Sequence, residues 1–312
     1  MDNYKEIQEL LHQRADANTR LRLIPYEGTP EIKERGDNKY LYMRKRVGSR
    51  VSSQYIDIYS DILYETLLRN GRDARELRKN IRHIEKKLAE LGYSSHNLDP
   101  DVLLNIDFAR ANMKLSIYEQ AVLEGVATTY PQTEEIVENG KVNGMNAQDV
   151  QKILNLKHAW EFILDEDVVQ FPSDFDILSN IARIVNEGFF DNGGRVRGVP
   201  VSIHGTSYVP PLPFKSVIVE NIADILSKNQ NPIDTAIQLC LYCMRSQIFI
   251  DGNKRASILL ANHYLVSHGA GMMVVPENAV PKFKELLIEF YESNNLEVIA
   301  EFMRKECWKN YK

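Results

Sequence analysis

The chain has few cysteines, no long apolar run and no strong excess of charge of one sign. Its three cysteines, Cys240, Cys243 and Cys307, are an odd number, which excludes a framework with every thiol paired and favours reduced thiols in a cytoplasm. No apolar run is long enough to cross a bilayer. The polar start, Met1 to Glu6, lacks the apolar region of a signal peptide. We therefore expect a cytoplasmic protein without a membrane span.

Composition limits the number of domains to one or two and gives little indication of a nucleic-acid or membrane partner. The formal net charge of -5 argues against nucleic-acid or membrane binding by the chain as a whole. A length of 312 residues and a hydrophobic content of 44% suit a globular protein of one large or two modest domains. Residues 92–100 are rich in Gly, Ser, Asn and Pro, as linkers are. We predict an N-terminal region over residues 1–100 and a larger domain over residues 101–312.

The N-terminal region is predicted to contain a helix, a β-hairpin and a second helix. Apolar spacing predicts a helix within residues 1–20, and residues 40–44 and 50–56 alternate in polarity around a Gly-Ser turn. Residues 61–91 have a helical pattern that we expect to break near Asn70-Gly71. The polar face of this helix is basic and carries Arg72, Arg75, Arg78, Lys79, Arg82, Lys86 and Lys87. A hairpin with a basic helix can bind nucleic acid or a partner helix; the alternative, which we favour, is a solvated helix with partly balanced charge.

The larger domain is predicted to be mainly helical. Helical patterns cover residues 103–123, 146–164, 175–185, 214–227, 232–246, 254–267, 277–291 and 294–308. Residues 193–205 interrupt them with glycines and alternating polarity, which indicates a small hairpin. Residues 208–213 form an extended, Pro-rich connection. The fold class that follows is mainly α, with one small hairpin in this domain.

One stretch, Gln247-Ile248-Phe249-Ile250-Asp251-Gly252-Asn253-Lys254-Arg255, joins two buried helical segments. Gly252 lets the backbone approach a ligand closely. The residues after it begin a helix, where free N–H groups and the helix dipole attract anions, and Lys254 and Arg255 add two cations. Asp251 supplies a carboxylate that can hold Mg²⁺ against the same phosphates. Spacing alone leaves two interpretations open, a phosphate-binding turn or an ordinary solvated turn.

This stretch resembles the active loop of the Fic (Fido-domain) family, His-x-Phe-x-Asp/Glu-Gly-Asn-Gly/Lys-Arg, at six positions from Phe249 to Arg255. The segment from Gly194 to Gly205, with Tyr208–Pro211, is similar to the family's flap, a hairpin over the active loop. Residues 120–125 are similar to the family's inhibitory helix, Ser/Thr-x-x-x-Glu-Gly/Asn. The resemblance covers residues 105–270 and implies a Fic core of helices with a β-hairpin flap.

The resemblance implies transfer of AMP, or of phosphate, from ATP to a hydroxyl of a target protein held under the flap. By position, Asp251 would hold Mg²⁺ and would count among the catalytic residues with Asn253 and Arg255. The nucleotide-binding residues implied are Gly252, Asn253, Lys254, Arg255 and the flap residue Arg197. Glu124 would be the inhibitory residue that blocks productive nucleotide binding.

The sequence departs from the family at the catalytic base. Gln247 stands where the family has its His, and an amide has no pKa that lets it accept a proton near pH 7. Loss of a general base costs about 10²–10⁴ in rate, so the resemblance implies an attenuated transferase. The alternative is a catalytically inactive domain that binds a nucleotide or a partner and regulates by occupancy. Nothing in the sequence places His204 or His263 within reach of the loop.

Two more departures bear on inhibition and on the transferred group. Lys254 gives a Gly-Asn-Lys-Arg motif similar to that of the death-on-curing branch, which implies phosphorylation. Ile258 stands where many AMP-transferring members carry a second Arg, the partner of the inhibitory Glu, and Gln120 replaces Ser/Thr. We therefore expect Glu124 to lack its usual ion pair. Glu124 is either an inhibitory residue or only the last residue of a capped helix.

Overall fold

A computed structural model describes residues 2–26, 28–36, 38–47, 50–93, 98–140, 144–228 and 231–311. The chain is mainly α-helical, as predicted, and divides into two compact units, Met1–Ser95 and His96–Lys312. Part of the predicted linker, residues 94–97, lies outside the described residues. Within the described ranges no helix has both the length and the apolar character needed to cross a bilayer.

The first unit contains two helices and a three-stranded antiparallel sheet of order β1-β2-β3. Its elements are α1 (Asp2–Leu23), β1 (Thr29–Arg35), β2 (Asn38–Val47), β3 (Arg50–Ile58) and α2 (Asp61–Glu90). The predicted hairpin is confirmed as β2 and β3, and its Gly48-Ser49 turn lies outside the described residues. Strand β1 was not predicted because Ile32 is its only large apolar residue. It pairs with β2 along the whole strand, so backbone hydrogen bonds to β2 stabilise a strand that has no alternating apolar pattern of its own.

One face of this sheet packs on α2 and forms the core of the unit. Leu41 and Met43 of β2 are buried against Leu67. The predicted break at Asn70-Gly71 is wrong, since α2 continues from Asp61 to Glu90. A Cβ added at Gly71 would lie 3.2 Å from the carbonyl oxygen of Gly28. The glycine therefore serves the close approach of the segment before β1, and the helix tolerates it.

The second unit is a helical domain with one two-stranded ladder. Its helices are α3 (Pro100–Leu123), α4 (Tyr130–Asn139), α5 (Ala147–Ile163), α6 (Phe175–Val185), α7 (Lys215–Ser227), α8 (Pro232–Ser246), α9 (Asn253–Ser267), α10 (Val280–Ser293) and α11 (Glu297–Phe302). Strand β4 (Met272–Met273) pairs with β5 (Trp308–Lys309). The helix predicted over residues 294–308 ends at Phe302 and continues as a π-helical turn, Met303–Cys307. Helix α4 was not predicted.

Helix α9 lies at the centre of the second unit and packs against α3, α5, α6 and α8. Thirteen of its fifteen residues are buried, so it is a core helix without a solvent face. Among its buried polar side chains, Asn262 bonds both backbone groups of Met273. Since α9 starts inside the domain, the loop before it is positioned by the core rather than by solvent.

The hairpin predicted over residues 193–205 is wrong in its secondary structure. Residues 144–228 are all described, and they contain no strand. The segment between α6 and α7 is extended and irregular, and side chains hold it instead of a ladder of backbone hydrogen bonds. We call residues 193–211 the flap.

Candidate functional site

The loop between α8 and α9, with the first turn of α9, comprises residues 247–255, and we call it the active loop. Two of its residues have backbone dihedral angles in the left-handed region, which few residue types adopt. Gln247 follows α8 in the left-handed region, with φ 43° and ψ 60°. Gly252 precedes α9 with φ 74°. A Cβ at Gly252 would lie 2.9 Å from Asn186 Oδ1 and 3.1 Å from Val185 Cγ2. Both the dihedral angle and the close approach to α6 therefore require glycine at this position.

Asn253 closes this loop onto itself. Its Oδ1 accepts from the Phe249 N–H at 2.9 Å, and its Nδ2 donates to the Phe249 carbonyl at 2.9 Å and to Gln247 Oε1 at 3.2 Å. The side chain is buried. In this structure Asn253 braces the loop, and its predicted contact with a phosphate stays a prediction.

Asn186 is a residue of the site that sequence reasoning missed. It follows α6, is fully buried and donates from Nδ2 to the carbonyls of Asp251 at 2.9 Å and Gly193 at 3.3 Å. It thus links the active loop to the start of the flap. The sequence offered one signal for Asn186, a polar residue directly after a strongly apolar helix. The same pattern is typical of an ordinary helix end, so it did not indicate a role in the site.

Arg255 is almost fully buried, with 3% of its side chain exposed, and it binds three groups. Nη1 donates to the Val185 carbonyl at 2.8 Å, and Nη2 donates to Asp251 Oδ2 at 2.9 Å. Its Nε lies 3.5 Å from Glu124 Oε2 and makes no hydrogen bond. The guanidinium therefore joins α6, the loop and the end of α3, and its Nε–H is left without a hydrogen bond.

Glu124 lacks the usual partner, because position 258 is Ile, but it has two other cationic partners that sequence reasoning did not find. Its Oε1 lies 3.5 Å from Lys254 Nζ, and its Oε2 lies 3.5 Å from Arg255 Nε. The reason is local: Gln120 Nε2 donates to the Arg255 carbonyl at 3.1 Å. This contact places the end of α3 beside the first turn of α9, whose cations replace the absent arginine at Ile258. Glu124 is also the C-cap of α3, and its inhibitory role stays a prediction.

Several of these residues, Glu124, Gln247 and residues 251–254, line a cleft of about 500 Å³, within the range of small-ligand sites. Its walls come from the active loop, the flap, the end of α3 and α10. The lining residues are Glu124, Val201, Ser202, Ile203, His204, Gly205, Gln247, Ile250, Asp251, Gly252, Asn253, Lys254, Lys284, Leu287, Ile288 and Tyr291. We did not predict that Lys284 and Tyr291 line the cleft, because α10 begins more than twenty residues after the loop and no sequence motif connects the two.

His204 lines this cleft, a position that nothing in the sequence indicated. The flap brings it there across more than forty residues of chain. His263 lies elsewhere: its Nδ1 bonds Ser173 Oγ at 2.7 Å and its Nε2 bonds the Val168 carbonyl at 3.0 Å. Burial lowers the pKa of His263 to about 4, so this imidazole is neutral and structural.

Arg197 anchors the flap to the active loop. Its Nε donates to the Gln247 carbonyl at 2.5 Å, Nη1 to the Val199 carbonyl at 2.7 Å and Nη2 to the Pro211 carbonyl at 2.7 Å. Its own N–H donates to the Ile248 carbonyl at 3.0 Å. Burial lowers the pKa of the guanidinium. Arg197 thus holds backbone in this structure, and its predicted contact with a nucleotide stays a prediction.

A second anchor fixes the other part of the flap. The Tyr208 ring stacks on Tyr291 with centroids 6.2 Å apart, and the Arg245 guanidinium lies 4.2 Å from the Tyr208 centroid. Glu292 Oε1 accepts from Thr206 Oγ1 at 2.8 Å and from the Ser207 N–H at 3.2 Å. These hydrogen bonds lower the pKa of Glu292. Two sets of side-chain contacts thus replace the predicted β-ladder.

Gln247 is held at both ends of its amide. Nε2 donates to the Met244 carbonyl at 2.7 Å, and Oε1 accepts from Asn253 Nδ2. Beside it lies Tyr291, whose pKa is raised by burial. Neither side chain offers a proton acceptor at neutral pH.

Two carboxylates line the cleft, and they differ in what they are free to bind. Asp251 is 52% exposed and bonds Arg255 through Oδ2, whereas Glu124 lies between two cations. Within the described part of the chain, no group of three or more His, Cys, Asp or Glu side chains could hold a metal. Mg²⁺ commonly binds through one or two carboxylates plus substrate phosphates. The donor set therefore fits Mg²⁺ only in company with phosphates.

Two family models match the chain. One described as "Fic/DOC family" matches residues 172–265, and one described as "Domain of unknown function (DUF6788)" matches residues 4–65. Among curated proteins, the chain is 28% identical over 178 residues to Protein adenylyltransferase Fic of Drosophila willistoni. This alignment covers 55% of the chain and 35% of that relative, so the chain spans about a third of the relative's length. A protein of the same name from Drosophila grimshawi is 26% identical over 178 residues, which cover 55% of the chain and 36% of that protein.

Solved structures of similar fold include two Fic proteins. A Fic domain containing signaling protein from Bacteroides thetaiotaomicron aligns with a TM-score of 0.54 at 19% identity, over 67% of this chain and 85% of that one. Fic-1 from C. elegans aligns with a TM-score of 0.52 at 20% identity, over 77% of this chain and 72% of that one. At these identities the likeness concerns the fold.

Proposed function

Since residues 172–265 form a domain of the Fic/DOC family, we propose that the chain binds ATP with Mg²⁺ in the cleft and transfers AMP, or a phosphate, to a hydroxyl of a target protein. The observation that carries the proposal is the start of α9. It has no side-chain cap, and Asp251, Lys254 and Arg255 surround it. Uncapped N–H groups with two cations suit a chain of phosphates.

The charged side chains around the start of α9 and in the flap each have a part in this proposal. Lys254 and Arg255 hold the phosphates, and Asp251 holds the Mg²⁺, which when bound supplies charge neutralisation on the phosphate oxygens. The flap presents the target segment, since Arg197 fixes it beside the loop. The target oxygen forms a bond to the α-phosphorus while the bond to pyrophosphate breaks. In the phosphorylation variant, the oxygen attacks the γ-phosphorus and ADP leaves.

Two features of the cleft hold the proposed rate down. Glu124 neutralises Lys254 and Arg255, the cations that a triphosphate would need. The proton of the attacking hydroxyl also lacks an acceptor at Gln247, whose amide is bound at both ends. Among the described residues that line the cleft, His204 is the one imidazole, and we propose it as the slow acceptor.

A second candidate function is a catalytically inactive domain that binds a nucleotide or a partner and acts by occupancy. The observation that favours it is the same bound amide of Gln247. Transfer of a group from ATP to protein distinguishes the two candidates, because nucleotide binding alone is compatible with both.

The test is incubation of the chain with α- or γ-labelled ATP and cell lysate, comparing the parent, Gln247→His and Gln247→Ala. We expect slow labelling by the parent and a gain of about 10²–10⁴ in rate for Gln247→His. The α label marks AMP transfer, and the γ label alone marks phosphorylation. ATP binding by calorimetry with no labelling by the parent or by Gln247→His would favour the inactive domain. Absence of ATP binding would overturn the transferase and would leave the inactive domain only its partner-binding form.

A further inference from the structure

The outer face of the N-terminal sheet carries an exposed cluster of aromatic rings. Leu41 and Met43 face α2, and side chains alternate along a strand, so Tyr40 and Tyr42 lie on the opposite face of β2. Tyr55 of β3 is in register with Tyr42. The rings of Tyr42 and Tyr55 meet edge to face with centroids 5.5 Å apart, and Tyr40 lies 6.2 Å from Tyr55. We call these three residues the tyrosine platform.

The tyrosine platform is open to solvent where its rings meet. Tyr55 is 49% exposed, and Tyr40 and Tyr42 are partly buried. Three neighbouring rings on the solvent face of a sheet are more than the α2 core requires, because that core forms on the other face. The Tyr55 ring is therefore available to a ligand that stacks, whereas Lys33 lies over the Tyr42 ring.

Basic side chains border the platform. Lys33 Nζ lies 4.3 Å from the centroid of the Tyr42 ring and donates to Ser53 Oγ at 3.1 Å. Arg44, two residues after Tyr42 on the same strand and therefore on the same face, is exposed. Acidic groups are present too: Glu31 lies 3.6 Å from Lys33. Lysines and arginines nonetheless outnumber acidic residues seven to four over residues 29–58.

This local charge runs against the charge of the rest of the chain. Residues 1–95 hold 19 basic and 15 acidic residues, whereas residues 96–312 hold 19 basic and 28 acidic residues. A positive N-terminal unit in an acidic chain indicates an anionic partner for that unit. An open sheet with exposed aromatic rings and flanking cations is the arrangement that takes unpaired bases and their phosphates.

We propose that the tyrosine platform binds single-stranded nucleic acid. One base stacks on Tyr55 and a second on Tyr42 once Lys33 turns from that ring towards a phosphate, and Lys33 and Arg44 contact the phosphates. A duplex fits less well, because its bases hide the faces that the rings would cover. The sequence suggested nucleic acid only through the basic helix, residues 72–87, whereas the rings lie on the sheet. This site is separate from the cleft and does not depend on the proposed transfer activity.

The test is fluorescence anisotropy of the full chain with labelled 12-nucleotide RNA and DNA strands, a matching duplex and an acidic peptide. We expect the single strands to bind more tightly than the duplex or the peptide, and binding to weaken as salt rises. Tyr42→Ala with Tyr55→Ala should weaken binding by about 5- to 150-fold per stacked base. Tyr42→Phe, which keeps the ring, should bind like the parent.

Matched controls separate the platform from simple charge. Arg44→Glu, beside the platform, should weaken binding more than Lys86→Glu on α2, which makes the same charge change. Tyr4→Ala removes another exposed tyrosine of this unit and should leave binding unchanged. Circular dichroism checks that each variant folds. Four results would each overturn the proposal: no binding of single strands at low salt, equal binding of duplex or acidic peptide, parental binding by the double tyrosine variant, or an equal loss with Lys86→Glu.

Discussion

At the scale of single residues, the start of α9 holds cations that already have protein partners. Arg255 binds Val185, Asp251 and Glu124, and Lys254 lies beside Glu124. A phosphate would have to compete with these carboxylates. The charges of the cleft are therefore balanced before any ligand arrives, and nucleotide affinity depends on which contacts a phosphate replaces.

Arg255→Ala should lower ATP affinity by about 1–3 kcal/mol, because it removes a charged hydrogen-bond donor from the proposed phosphate site. Isothermal calorimetry at millimolar ATP and Mg²⁺ measures this change. Arg304→Ala is the control, since Arg304 pairs with Asp234 in the first turn of α8, whereas Arg255 pairs with Asp251 of the active loop. Unchanged affinity in a folded Arg255→Ala variant would remove Arg255 from the site.

Glu124→Gln should tighten ATP binding roughly tenfold, which is about 1.4 kcal/mol. The amide keeps the shape of the side chain but no longer neutralises Lys254 and Arg255. Glu119→Gln is a matched control on the same helix, because Glu119 pairs with Lys309, at 3.1 Å from Lys309 Nζ. Equal affinity of parent and Glu124→Gln would mean that Glu124 only ends α3.

At the scale of elements, the flap is an irregular segment held by side chains. Arg197 supplies one anchor, and the stack of Arg245, Tyr208 and Tyr291 supplies the other. A flap without a ladder depends on few contacts, so removing one anchor should release part of it while the helical core remains.

Arg197→Met should make residues 198–211 more sensitive to limited proteolysis and leave the helical content unchanged. Methionine fills similar volume but donates no hydrogen bond, so the carbonyls of Gln247, Val199 and Pro211 lose their partner. Mass spectrometry locates the cut sites. Arg195→Met, two residues earlier, is the control. Equal cleavage of both variants and the parent would show that Arg197 does not hold the flap.

At the scale of the whole molecule, the two units can be observed separately. Both tryptophans of the chain, Trp160 and Trp308, lie in the second unit. Tryptophan fluorescence therefore follows unfolding of residues 96–312 alone, whereas circular dichroism follows both units.

The second unit should lose stability as the pH falls from 6.5 towards 4. Folded His263 has its pKa lowered to about 4 from an ordinary value of 6.5, so in this window the unfolded chain binds a proton that the folded chain does not. The free energy of unfolding therefore rises with pH, by on the order of 3 kcal/mol across the window. Urea unfolding followed by tryptophan fluorescence measures it. His263→Gln should be less stable but have a flatter pH dependence; an equally steep one would assign the effect to other groups.

The sequence by itself determined the features that depend on local pattern. The helix predicted over residues 175–185 is found with the same bounds, and α7, α8 and α9 differ by one residue at most. Helices such as α6 and α8 show the 3.6-residue period of apolar residues because one side of each faces the core. Helix α9 is instead visible as an apolar run without a helix breaker. The active loop and its charges were equally visible, since helix start, glycine and cations are neighbours in the chain.

Only the tertiary structure decided what lies around that loop. His204, Lys284 and Glu124 meet at the cleft from three distant segments, and no local pattern records such a meeting. Strand β1 forms because β2 offers it an edge, and the flap lacks strands because buried side chains take over its carbonyls. Glu124 found new cationic partners because Gln120 docks α3 against α9. Contacts between residues far apart in the chain arise from packing, and packing is decided by the whole fold.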